Sequence, residues 1–135
     1  MLDELGLPAA LRWYLSGFGE RTGIDVELVV PEDLGRLSTA MEMDMFRIVQ
    51  ECLMNVHRHS GSRTALVKLE LETDRIVLKV EDSGRGMPIN TSGDKTSRLF
   101  GVGLSGMRQR LRHLGGRLEI ASSSCGTRIT AIVPK

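Results

Sequence analysis

Three stretches of this chain combine residue types and spacings suited to phosphate and metal chemistry. In the first, Glu51, Asn55, Arg58 and His59 recur every three or four residues, which on a helix places them along one stripe. A carboxylate, a neutral amide oxygen and a cation in line suit a hard divalent cation and the phosphate oxygens that accompany it. The same spacing also describes an ordinary solvated helix face with an i,i+4 pair. In the second, the alternation Ile76, Leu78, Val80 extends by parity to Asp82, followed at once by Ser83-Gly84-Arg85-Gly86. An inward carboxylate beside two glycines offers an acceptor for an exocyclic amine where a ligand can approach the backbone closely. A plain Asp-Ser-Gly turn has the same letters. In the third, Gly101-Val102-Gly103-Leu104-Ser105-Gly106 runs directly into a helical pattern, so free N–H groups and the helix dipole make a candidate phosphate cradle. No strand feeds it closely and no Gly-Lys-Ser/Thr follows, so it is neither a dinucleotide fingerprint nor a Walker A loop. A glycine hinge is its plainer reading.

The elements that must position these residues follow from periodicity. A first helix fits 8–22, with Pro8 in its first turn and Gly23 as its stop. A strand follows over 25–30. Ser38 or Thr39 caps a second helix whose apolar stripe runs through Met41, Met45, Ile48, Val49, Cys52, Leu53 and Val56 and closes near Gly61. From Thr64 the period changes to two, and two strands joined by a turn at 72–75 form a hairpin. The stretch 82–100 has turn residues but no period, a length usual for functional or disordered loops. Leu104, Met107, Leu111 and Leu114 then recur at helical spacing up to Gly115-Gly116, and strands near 117–121 and 127–133 end the chain. The order α, β, α, β, β, loop, α, β, β implies an α+β fold, a two-layer sandwich whose mixed sheet is covered on one face by helices.

Composition narrows the function classes. The 135 residues, 41% hydrophobic and 26% charged, suit a single domain over 1–135. Eighteen Lys and Arg against 17 Asp and Glu give +1, and aromatic residues make up only 4%, so nucleic acid is not an expected partner. No apolar run reaches the roughly 18–20 residues of a membrane span and the start MLDELGLP is unlike a signal peptide, which gives the expectation of a cytoplasmic domain without membrane contact. Cys52 and Cys125 lie outside any CxxC or zinc spacing and read as buried thiols. Six of the 15 glycines fall between Gly84 and Gly106, the region where function is expected.

Taken together and in order, Glu51-x-x-x-Asn55, Asp82-x-Gly84-x-Gly86, Gly101-x-Gly103-Leu104 and Gly126-Thr127 closely resemble the N, G1, G2 and terminal Gly-Thr boxes of the GHKL ATP-binding superfamily. Within it, 2–7, Phe46-Arg47-Ile48-Val49-Gln50-Glu51 and Met107-Arg108-Gln109-Arg110-Leu111 through Gly116 resemble the bacterial sensor histidine kinases that pair with NarL-type response regulators. The resemblance covers nearly the whole chain. It implies the Bergerat fold, with ATP and Mg²⁺ as cofactors. Asn55 would be the Mg²⁺ ligand, Asp82 the partner of the adenine amine, and Thr127 its neighbour through water. Gly84 and Gly86 would admit the base; Gly101, Val102, Gly103 and Leu104 would line the phosphates, which Arg58 and His59 would face. Glu51 would be the catalytic carboxylate and 88–100 the ATP lid. The γ-phosphoryl group would pass to a histidine on upstream dimerisation helices, with 1–7 as the end of the linker from them. None of His57, His59 and His113 resembles that phosphoacceptor, so the chain is expected not to autophosphorylate alone. An anti-sigma factor serine kinase of the same fold and a nucleotide-sensing module without transfer chemistry are the other readings.

Overall fold

A computed structural model describes residues 2–84, 106, 108–123 and 126–134. Helix α1 (Leu2–Thr22) contains one residue with non-helical backbone, Gly6, at φ 83° and ψ 174°. It is therefore two helical pieces, and the expected helix from Pro8 is preceded by a further turn of helix. A left-handed φ is open to glycine at little cost. After the break, Leu7, Leu11, Leu15 and Phe18 bury one face. Thr22 ends the helix by donating from Oγ1 to the Phe18 carbonyl at 2.7 Å.

Strand β1 (Asp25–Val29) leads through a loop to α2 (Thr39–Asn55). Ser38 is its N-cap, its Oγ accepting from the Met41 N–H at 3.2 Å, a contact that typically contributes ~1 kcal/mol. The apolar stripe from Met41 to Val56 is buried as expected. Beside it Glu42 is only 2% exposed and is held by Arg36, whose Nε and Nη2 donate to the two carboxylate oxygens at 3.2 and 3.1 Å. Removing a guanidinium from a buried carboxylate strands a charge, although Arg36 is itself half-exposed and water can partly replace it. Arg36→Ala is expected to lower unfolding stability by about 1–3 kcal/mol, read from urea denaturation; an unchanged midpoint would show that the pair holds nothing together.

After α2 come β2 (Thr64–Leu71), β3 (Arg75–Asp82), a helical stretch α3 over 108–113, β4 (Arg117–Ser123) and β5 (Gly126–Pro134). Helix α3 ends where the Gly116 N–H bonds the Leu111 carbonyl at 2.7 Å. The sheet order is β1-β2-β3-β5-β4, with β1 and β2 parallel and the other pairs antiparallel. Ala65, Val67 and Leu69, then Ile76, Leu78 and Val80, then Ile129, Ala131 and Val133 point to one side and are buried with the helical faces in a single core. The opposite face carries cross-strand charge pairs, Glu70 with Lys79 at 3.1 Å and Glu81 with Arg128 at 2.8 Å. One face is dry and one is wet, which is the two-layer α+β sandwich that the element order implies. Among the described residues no helix is long and apolar enough to cross a membrane.

Candidate functional site

The site lies where the dry interface runs out. β3 and β5 pair with Val80 opposite Ile129 and Asp82 opposite Thr127, so the core-facing side ends in one apolar rung and then one polar rung. The last turn of α2 covers both rungs. Cys52, Asn55 and Val56, at i, i+3 and i+4, form one side of a narrow cleft whose other side is Val80, Asp82, Thr127 and Ile129. Its free volume is about 10 Å³, room for a single water.

Asp82 sits half-buried at the mouth of this cleft. Its Oδ1 accepts from the Gly84 N–H at 2.9 Å, and the Thr127 backbone N–H donates to the same carboxylate. Burial raises its pKa above the usual aspartate value, and the two N–H groups oppose that. A carboxylate that takes only backbone donors among the described residues has acceptor capacity to spare for a ligand. Thr127, on the facing strand, is 6% exposed.

This rung depends on Gly126. Its φ is 143°, and a Cβ there would run into the Asp82 carbonyl oxygen and lie 3.2 Å from the Ser83 Cα. Both obstacles are backbone, which cannot step aside as a side chain can. Gly126→Ala is expected to push β5 from the end of β3, costing about 1–3 kcal/mol of stability. It should also loosen any ligand that Asp82 holds. Urea unfolding beside a nucleotide titration would check both effects, and wild-type values in each would refute the close-approach role.

Asn55 is 4% exposed and its amide Nδ2 has no hydrogen-bond partner among the described residues. An unpaired buried amide group costs about 1–3 kcal/mol, so this one stands ready for a ligand. Phosphate oxygens satisfy an amide N–H, and a hard cation accepts an amide oxygen. The chemistry of the residue therefore fits a Mg²⁺–phosphate group. Among the described residues no cluster of three or more His, Cys, Asp or Glu side chains could hold a metal by itself. Such an ion would complete its shell from phosphate and water.

The expected stripe is bent in the structure. At Val56 the α-helix gives way to a π-helical turn, Val56–Ser60, closed by Gly61 at φ 69°. The wider i→i+5 winding takes Arg58 off the line of an α-helical repeat. Glu51 is half-buried, Asn55 buried and Arg58 exposed, so Asn55 alone of these enters the cleft with Asp82. Single π turns recur at functional sites. Glu51 lies a turn ahead of Asn55, and its charge is felt at Tyr14 on α1. Burial holds the Tyr14 phenol above its usual pKa, Arg21 over its ring at 5.9 Å opposes that, and Glu51 adds to it. Gly84 supplies its N–H to Asp82, while Gly86, Gly101, Val102, Gly103, Leu104, Cys125 and the stretch 88–100 lie outside the described residues, as does the side chain of His59. Periodicity missed Cys52, Val56, Val80 and Ile129 as lining residues. All four match the apolar pattern of a core and carry no separate signal.

Residues 40–135 match the family of histidine kinase-, DNA gyrase B- and HSP90-like ATPases. The chain is 37% identical over its whole length to the sensor histidine kinase MctS of Rhizobium johnstonii, of which it spans 29%. It is 34% identical, over 98% of its length, to the signal transduction histidine-protein kinase/phosphatase DegS of Bacillus subtilis, of which it spans 35%. It thus spans about a third of these relatives. Among solved structures, the histidine kinase domain of the Erythrobacter litoralis EL346 blue-light activated histidine kinase superposes with a TM-score of 0.79 at 22% identity, covering 95% of this chain and 60% of that one.

Proposed function

Because the chain belongs to the family of histidine kinase-, DNA gyrase B- and HSP90-like ATPases, we propose that it is the catalytic, Mg-ATP-binding unit of a two-component sensor histidine kinase. The observation that carries this is the convergence on one cleft of a backbone-held carboxylate, Asp82, and a buried amide with an unpaired end, Asn55. Asp82 accepts the adenine amine, and a water held with Thr127 completes the edge of the base. Asn55 meets the phosphates and the ion they carry; when bound, Mg²⁺ neutralises charge on the transferring group. By the family resemblance, the glycines at 101 and 103 are assigned to the phosphates, 88–100 to the lid over them, and Arg58 and His59 to the same phosphates.

In the reaction the bond from the γ-phosphorus to the bridging oxygen of ADP breaks, and a phosphorus–nitrogen bond to a histidine forms. That histidine stands on helices of the parent kinase, and the proton it loses passes to a carboxylate, the role assigned to Glu51 by the family resemblance. Such chemistry rests on positioning and charge neutralisation more than on covalent catalysis by the enzyme. The phosphohistidine then serves a NarL-type response regulator, and the domain works in the cytoplasm. The test is incubation with γ-labelled ATP, Mg²⁺ and the histidine-bearing helices of the parent kinase. Acid-labile, alkali-stable label on those helices is expected. Acid-stable label on serine would transfer the assignment to the anti-sigma factor kinases, and no label with bound ATP would leave a nucleotide sensor.

A further inference from the structure

We propose that Cys52 is a specificity residue of the nucleotide site, closing the space beyond the base's exocyclic amine and so excluding purines with a substituted amine. The inference rests on the ATP reading above and goes beyond it. Cys52 lies on α2 a turn before Asn55 and Val56 and is 1% exposed. It lines the same cleft as Asp82 and Thr127. The rungs fix its depth: Asp82 and Thr127 form the outer, polar rung, Val80 and Ile129 the inner, apolar one, and α2 continues inward from Cys52 to Val49 and Ile48, both buried. The thiol therefore belongs to the closed end. Anything attached to an amine bound by Asp82 enters a space of about 10 Å³, a volume that a single water would fill.

A second observation marks this cleft as a ligand site and not merely the top of the core. The Asn55 amide, nine-tenths and more buried, has an unpaired Nδ2 in the same cleft. Burial raises the Cys52 thiol above its usual range, and the Glu51 charge adds to this. The group thus acts as a small, neutral, weakly polar wall and not as a thiolate nucleophile.

The experiment titrates the wild-type chain, Cys52→Ala and Cys52→Val with ATP and with N6-methyl-ATP, which keeps one N–H for Asp82. A one-carbon change in a tight pocket shifts affinity by about 10-fold or more. Wild type is expected to bind N6-methyl-ATP at least about 10-fold more weakly than ATP. Cys52→Ala should shrink that ratio to within about 3-fold, and Cys52→Val should widen it. Either variant suffices if the other does not fold. Equal affinity of the wild type for both nucleotides, or a ratio that neither folded variant changes, would overturn the role of Cys52. Failure of the wild type to bind ATP would instead overturn the ATP reading itself.

Discussion

Asp82→Asn is expected to weaken ATP binding by about 100-fold while leaving the fold intact. The Gly84 and Thr127 N–H groups both donate to this side chain, so an asparagine must turn its oxygen toward them. Its NH₂ then faces the cleft, where the adenine amine also brings a donor, and two donors meet. The same substitution should stabilise the empty protein at neutral pH. Burial raises the Asp82 pKa in the folded state, so the folded chain holds that proton more tightly than the unfolded chain does. Its contribution to stability is present below the ordinary aspartate value of ~4 and is lost as pH rises through the raised folded value. Asparagine, which cannot ionise, removes that loss, and the melting-temperature advantage of the variant should grow with pH over this window. Unchanged ATP affinity would defeat the adenine assignment. An advantage that falls with rising pH would defeat the account of the carboxylate.

The second large effect belongs to Asn55. Asn55→Ala is expected to weaken Mg-ATP binding by about 10- to 100-fold and to abolish most of the difference between titrations with and without Mg²⁺. Stability should change little, because the amide that disappears is buried with one end unpaired and alanine leaves no polar group to satisfy. Calorimetric titration with and without the ion, beside a urea melt, separates the two effects. A variant that keeps the full Mg²⁺ dependence would show that Asn55 does not serve the ion. A variant that loses binding only because it unfolds would be caught by the melt.

The parts of this site that follow strict periodicity were legible before any coordinates. The alternation of Ile76, Leu78 and Val80 needs only one more step to carry Asp82 to the core side, and the pairing of Asp82 with Thr127 places it there. The helix stops were legible for the same reason: Gly23, Gly61 and Gly115 all have positive φ, a backbone that few other residues tolerate. What the pattern concealed is departure from regularity. The π turn at Val56–Ser60 spells no motif, yet it separates Arg58 from Asn55 and so divides a stripe that regular α-helical spacing would keep together. The helical break at Gly6 is likewise silent in a stretch read as linker. Cys52 was legible only as core, because a residue that lines the inner end of a cleft and one that packs between layers obey the same burial rule. Gly126 gave a motif letter without its reason, which is the backbone of Asp82 and Ser83 lying where a side chain would be.

In the proposed function, the cleft between α2 and the β3–β5 rungs binds Mg-ATP by its adenine. The most direct measurement is calorimetric titration of the chain with ATP, ADP and GTP, each with and without Mg²⁺. Saturable ATP and ADP binding is expected, with ATP tightened by Mg²⁺ and GTP weaker by about 10-fold or more, since guanine carries a carbonyl acceptor where Asp82 needs a donor. Equal affinity for ATP and GTP, or no ATP binding by a folded chain, would contradict it.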